Sequence, residues 1–174
     1  MTAANFKKSL AFVLVDEGGN DNDPLDHGGR TSRGVRQDEY TAWLSEHKLP
    51  SKDVWTAPES DIEAIYHDEY WEPYCDGFPS GIDYLYFDMA VNAGPHRAAI
   101  LLQRSLGLPQ DGRIGPITRG AVVKADPHRL VHDYTDIKRN YYYEIVEAAP
   151  DQKRFLHGWL NRCDHVLKNA LTMI

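Results

Sequence analysis

Three side chains near the N-terminus have the types and spacing for acid–base chemistry: Glu17, Asp26 and Thr31. Hydrolysis of a glycosidic bond needs a protonated carboxyl at the leaving oxygen. It needs a second carboxylate to activate water or to stabilise the sugar cation. The acid must stay protonated near neutral pH, which calls for an apolar or dipole-raised setting. Glu17 directly follows the apolar run SLAFVLV and one aspartate. That places it at a helix C-terminus, where the helix dipole disfavours the charged form by on the order of 0.3–1 kcal/mol. Gly18 and Gly19 leave backbone room for a bulky polymer. Asp26, in a polar and Gly-flanked stretch, stays ionised, and Thr31 can hold a water with it. This polar setting suits an inverting course.

The same stretch, Asp16 to Gly34, has other readings. It holds five glycines and five acidic residues, a composition that disfavours regular structure and favours turns. It can be a solvated acidic loop. It can also be read as a calcium loop, but that needs ligands at alternate positions and a Glu twelve residues from the first. Asp21 and Asp23 are followed by Leu25, so the alternation fails.

The elements that must position these groups are mostly helical. Phe6, Leu10, Val13 and Leu14 give a helix over Asn5 to Val15. A Gly-rich loop or tight hairpin follows. Val35 to His47 reads as a helix with Tyr40, Trp43 and Leu44 on one side. Thr56 and Glu59 have capping-box spacing, with Pro58 in the first turn, and open a helix to about Trp71. Pro73 to Gly81 reads as a loop. Ile82 to Val91 is almost wholly apolar or aromatic, and reads as a buried central helix stopped by Asn92-Ala93-Gly94-Pro95. Helices then follow over His96 to Leu106, over Pro116 to Ala125, from Asp126-Pro127 to Val146, and over Phe155 to Leu171. The expected class is mainly α, with seven to eight helices around the loop.

Composition removes several functions. A net charge of −7 argues against nucleic acid as the main partner. No run of 18 apolar residues occurs, so no transmembrane helix is expected. The N-terminus has no small-residue cleavage site after its short apolar stretch, so we expect synthesis in the cytoplasm without a signal peptide. Cys75 and Cys163 form no CxxC pair and read more readily as two buried thiols than as a disulfide. The eight histidines show no HExxH motif, so no metal is expected.

Other residues carry two readings each. Asn92 lines a cleft floor or caps its helix. Asp88 on the same helix reads as the partner of an Arg. Trp43, Trp55, Tyr70 and Trp71 have faces suited to pyranose C–H surfaces, and are equally good core residues. Asp111, Gly112, Gly115 and Thr118 hold a peptide stem or, more simply, fix a turn. Tyr141, Tyr142 and Tyr143 must point around three sides of a helix, leaving at least one exposed.

The segments DEGG, NDPLDHGGRTSRGV and FDMAVNAGP resemble glycoside hydrolase family 108, the N-acetylmuramidases of phage endolysins and of some bacterial secretion systems. The family pattern, roughly EGG followed by NDP-x-D-x-GG-x-T-x-x-G, puts the catalytic glutamate at Glu17. The Glu17, Asp26 and Thr31 spacing is also similar to the Glu, Asp, Thr set of phage-type lysozymes. Where the family often has Tyr after EGG, Asn20 stands here, and Val35-Arg36 replaces Ile-Thr. LLQRSLGLPQDGRIGPITRGAV resembles the helical peptidoglycan-binding repeat.

The resemblance implies a lysozyme-like fold, with a catalytic region over 1–94 and a peptidoglycan-binding-like region over 95–174, packed as one compact unit. It implies cleavage of the β-1,4 bond between N-acetylmuramic acid and N-acetylglucosamine, with Glu17, Asp26 and Thr31 catalytic. Gly18, Gly19, Trp43, Tyr70, Trp71 and Asn92 are the expected substrate contacts. No cofactor is implied. The expected partner is the glycan strand of peptidoglycan, met by a monomer after release through a holin or a secretion system. A lytic transglycosylase and a non-catalytic wall-binding protein are the alternatives.

Overall fold

The computed structural model describes residues 3–17, 20–21 and 30–174, with only the backbone described at 3, 4, 16, 17, 20 and 21. Residues 6–73 form one compact unit; residues 1–5 and 74–174 form the other.

Most of helix α1 (Ala3–Glu17) belongs to the first unit. Its stripe of Phe6, Leu10 and Val13 is buried, at the spacing of four and three that the sequence predicts. Leu14 is only half-buried. Beyond α1 come three two-residue strands: β1 (Asn20–Asp21), β2 (Thr31–Ser32) and β3 (Val35–Arg36). They form one antiparallel sheet in the order β1-β2-β3.

Val35 and Arg36 are therefore strand, not the start of a helix as their spacing suggests. The reason is the two-residue turn before them. Arg33 and Gly34 both have positive φ, 49° and 82°, the arrangement that closes a tight hairpin with the right twist. The Tyr66 hydroxyl pins this turn by donating to the Arg33 carbonyl at 2.8 Å. Helix α2 (Gln37–Glu46) starts directly after β3 and buries Tyr40, Trp43 and Leu44.

A 3-10 turn over Val54–Thr56 precedes helix α3 (Glu59–Tyr66). The expected Thr56–Glu59 capping box is not formed. Pro58 occupies the cap position, and the Thr56 hydroxyl donates instead to the Asp53 carbonyl at 2.8 Å. From Tyr66 the chain passes without a break into a π-helical turn (His67–Trp71) and then into α4 (Glu72–Cys75). Pro73 therefore lies in a helix, not in a loop. The wider π turn just before it relieves the proline's missing N–H and its clash with the preceding turn.

In the second unit, α5 (Ile82–Ala93) is buried on every side from Ile82 to Ala90, as a helix apolar all round must be. It ends at Gly94, whose φ of 84° suits glycine, and α6 (Pro95–Ser105) begins with proline in its first turn. α7 (Pro116–Lys124) and α8 (Pro127–Ala148) also open on proline. Asp126 caps α8 by accepting the Arg129 N–H at 2.8 Å, a contact worth about 1 kcal/mol. α9 (Lys153–Leu171) packs on α8 and α5, and α6 packs on α5 and α8. Counting α3, the π turn and α4 as one rod, the described residues hold eight helical rods. None is long and apolar enough to cross a membrane.

Two polar clusters lie inside this unit. Asp88 on α5 is fully buried and receives Lys138 Nζ from α8 at 2.5 Å and Arg162 from α9 at 2.9 Å. Burial pushes the Asp88 carboxyl up, but the two cations overcome that and hold it below the usual carboxylate range. The second cluster settles the turn after α6. Buried Gln103 donates to Asp111 at 2.6 Å, to the Arg113 carbonyl and to the Thr118 hydroxyl, and accepts the Gly112 N–H at 2.9 Å. Asp111, Gly112 and Thr118 are thus committed to turn chemistry. Of the three consecutive tyrosines, Tyr142 is buried and Tyr143 is half exposed. Cys75 and Cys163 are both buried, with no disulfide between them.

Candidate active site

The candidate site lies at the end of α1 and on the small sheet. α1 delivers Glu17 as its last residue, and β1 begins three residues later. Three residues span at most about 10 Å, so the helix end and β1 are held close. β1 in turn pairs with β2: Asn20 faces Ser32, and Asp21 faces Thr31. The register thereby brings Thr31 to the strand beside the segment that leaves Glu17. Gly18, Gly19 and Asp26 lie outside the described residues, as does the Glu17 side chain.

Thr31 is half-buried on the middle strand. Its carbonyl accepts the indole N–H of Trp55 at 3.0 Å. This contact ties β2 to the 3-10 turn, whose place is fixed by Asp53, which accepts the Trp55 backbone N–H at 3.0 Å. Gln37 holds the same turn from α2, accepting the Val54 N–H at 2.8 Å and donating to the Lys52 carbonyl. Arg30, the residue before Thr31, lays its guanidinium over the Trp55 ring, 3.9 Å from the centroid, and pairs with Asp53 at 2.5 Å. Trp55 keeps 37% of its surface exposed. A partly exposed indole, with the Arg30 guanidinium over one face of its ring, thus stands next to the strand that carries Thr31.

The aromatic residues expected to meet substrate divide sharply. Trp71 is 2% exposed and Trp43 6%. Trp71 packs edge-on against Phe6, and Trp43 lies tilted against His47, with ring centroids 4.2 Å apart. As packed here, both rings serve the core, and neither presents a face to a sugar. Tyr70 is half-buried and donates its hydroxyl to Glu39 at 3.1 Å. Burial raises the pKa of both groups in this pair. Glu39 was not singled out from sequence. The only signal was its place in the first turn of α2, where an acid is ordinary.

Asn92 lies in the last turn of α5, in the other unit. It does not cap the helix, because Gly94 takes that position. Its side-chain oxygen accepts the Tyr142 hydroxyl at 2.9 Å, which fixes its orientation on α8.

Comparison with known proteins fits this arrangement. The family model of glycosyl hydrolase 108 matches residues 10–94, and that of a predicted peptidoglycan domain matches residues 97–164. The solved structure of Brucella abortus SagA is similar, with a TM-score of 0.80 and 30% sequence identity over 97% of this chain and 95% of that one. No curated protein matches the sequence. A mainly helical, lysozyme-like fold with a small antiparallel sheet, two consecutive family matches and a full-length structural relative together show that the chain belongs to glycosyl hydrolase family 108 and is a peptidoglycan hydrolase.

Proposed function

We propose that the chain is an N-acetylmuramidase, cleaving the β-1,4 bond between N-acetylmuramic acid and N-acetylglucosamine. Glu17 is the general acid. Asp26 is the base that activates water, or the stabiliser of the sugar cation, and Thr31 positions that water. No cofactor takes part. The observation that carries this reading is the pairing of β1 with β2, which sets the Thr31 strand beside the segment leaving Glu17. An acid at a helix end and a hydroxyl on the neighbouring strand fit protonation of the leaving glycosidic oxygen and delivery of water to the anomeric carbon from the opposite face of the sugar ring. Residues 1–94 are the catalytic region in this reading, and residues 95–174 hold the wall. The chain acts as a monomer. It is made in the cytoplasm and reaches the wall through a holin, as a phage endolysin does.

Product analysis tests the chemistry. Digestion of purified peptidoglycan, followed by mass spectrometry, should give muropeptides with reducing N-acetylmuramic acid ends. Anhydro ends, lighter by one water, would make the chain a lytic transglycosylase, and absence of soluble products would remove the hydrolytic reading.

Trp55 is partly exposed beside the Thr31 strand, and in this reading the ring face that Arg30 does not cover stacks on a sugar ring. Trp55→Ala should raise KM for soluble glycan fragments about 2–10-fold, the equivalent of roughly 0.5–1.5 kcal/mol of aromatic contact, with a smaller change in kcat. Trp55→Phe keeps a ring but loses the N–H to the Thr31 carbonyl. It should recover most of the KM, and steady-state kinetics on the three proteins would show whether it does.

A further inference from the structure

The π turn on the first unit brings together side chains that an α-helix would keep apart. Its defining hydrogen bond runs from the Glu72 N–H to the His67 carbonyl, five residues back. In an α-helix, residues five apart point about 140° away from each other, since each residue turns about 100°. Here the widened turn stacks them. The ligand atoms of His67, Asp68 and Glu72 all lie within 4.8 Å of one another. A π turn is a rare and locally costly backbone choice that recurs at functional sites.

A second observation comes from His47, the C-cap of α2. Its Nδ1 lies 2.9 Å from the Trp43 carbonyl. A carbonyl only accepts, so Nδ1 carries the proton, and in the neutral ring Nε2 is left as a bare lone pair. That Nε2 faces Asp68 Oδ2 at 3.7 Å. The same carboxylate oxygen accepts the Trp43 indole N–H at 3.2 Å, and Oδ1 lies 3.2 Å from His67 Nδ1. Two imidazoles thus converge on one oriented carboxylate. A cation between that lone pair and the anion, whether a second ring proton or a metal ion, makes the approach favourable. An imidazole whose other N–H is held by a carbonyl is also the arrangement found around metal-bound histidines.

We propose that His67, Asp68 and Glu72, with His47 as the fourth ligand, form a binding site for a first-row transition metal ion of the zinc class. Two imidazoles and two carboxylates suit Zn²⁺ in preference to Mg²⁺ or Ca²⁺, which take oxygen ligands. A tetrahedral ion holding its ligands at about 2.0–2.2 Å sets them about 3.4 Å apart. The His67, Asp68 and Glu72 atoms close from 4.8 Å by side-chain rotation, which the half-exposed His67 and the exposed Glu72 permit, and His47, outside that cluster, closes on the ion from its place 3.7 Å from Asp68. The ion would join the end of α2 to the π turn, and it takes no part in the proposed hydrolysis.

The test uses the full chain, stripped with EDTA and dialysed, then titrated with ZnCl2 by calorimetry and by thermal melting. One equivalent should bind with micromolar or tighter affinity. The melting temperature should rise about 5–10 °C at a hundredfold excess over Kd, with no rise for MgCl2. Glu72→Gln and His67→Ala should each weaken binding tenfold or more. Glu72 is exposed, so Glu72→Gln should melt like the wild type when metal-free. Cobalt(II) should give the same ordering of affinities and a visible spectrum of nitrogen ligation. Undiminished zinc binding in Glu72→Gln and His67→Ala would move the ion to other histidines and overturn the proposal. So would the absence of stoichiometric binding to the wild type.

Discussion

Replacing Glu17 by Gln is expected to lower the release of soluble muropeptides by roughly 10²-fold or more, the usual effect of losing a general acid. Gln keeps the shape of the side chain and cannot give up a proton. The same change should leave stability unaltered or slightly raised. Glu17 is the last residue of α1, where a negative charge works against the helix dipole by about 0.3–1 kcal/mol. The two readouts therefore move in different directions, which separates chemistry from folding. A parallel melt and digestion of wild type and Glu17→Gln would show it. A variant that digests at the wild-type rate would take Glu17 out of the mechanism, and one that loses activity together with its fold would reassign it to structure.

The largest stability effect should come from Asp88→Ala. Lys138 is 1% exposed and spends its charge on Asp88, which is 0% exposed. Removing the carboxylate strands a buried ammonium, which costs about 3–5 kcal/mol. For a chain of this size that corresponds to a fall of about 6–20 °C in Tm. The double variant Asp88→Leu/Lys138→Met should recover only part of the loss, since apolar side chains replace the Lys138 pair at little cost while Arg162 still loses its carboxylate. Denaturant melts of the three proteins form the comparison. The effect also has a pH window. The folded pKa of Asp88 is lowered, so its contribution is fully present above the unfolded value of about 3.9. It fades as pH falls through the lowered value in the folded state, and the gap between wild type and Asp88→Ala should narrow in acid.

Much of the helical framework was legible because its signals are local. The apolar run from Ile82 needs a buried helix, and Gly94-Pro95 needs a break. Asp126-Pro127 announces α8 by the chemistry of the first turn. Val35 misled because its apolar side chain extends the pattern of Tyr40, Trp43 and Leu44, while the strand depends on positive φ at Arg33, a residue type that gives no warning of it. The π turn was illegible for a similar reason: Ile62, Ile65 and Tyr66 set an α rhythm, and nothing in His67–Trp71 marks the change of hydrogen bonding. Of the candidate site, Glu17 and Thr31 come from motif spacing, and the structure adds the pairing that sets the Thr31 strand beside the segment leaving Glu17. The support of Thr31 by Trp55 was not legible, since 24 residues separate them and only the fold joins them. The Asp88–Lys138 pair spans 50 residues and was visible from one end only, as an acid in an apolar helix wanting a cation.

The two cysteines bear on where such a chain can be put to use. Burial pushes both thiols up in pKa, Cys75 well above its ordinary value. Thiolate is the reactive form in exchange and oxidation, so neither side chain is an easy target while the chain stays folded. No part of the described fold waits on an oxidant to be completed. The described fold is thus held by packing and polar contacts, with both thiols kept in their protonated form by burial.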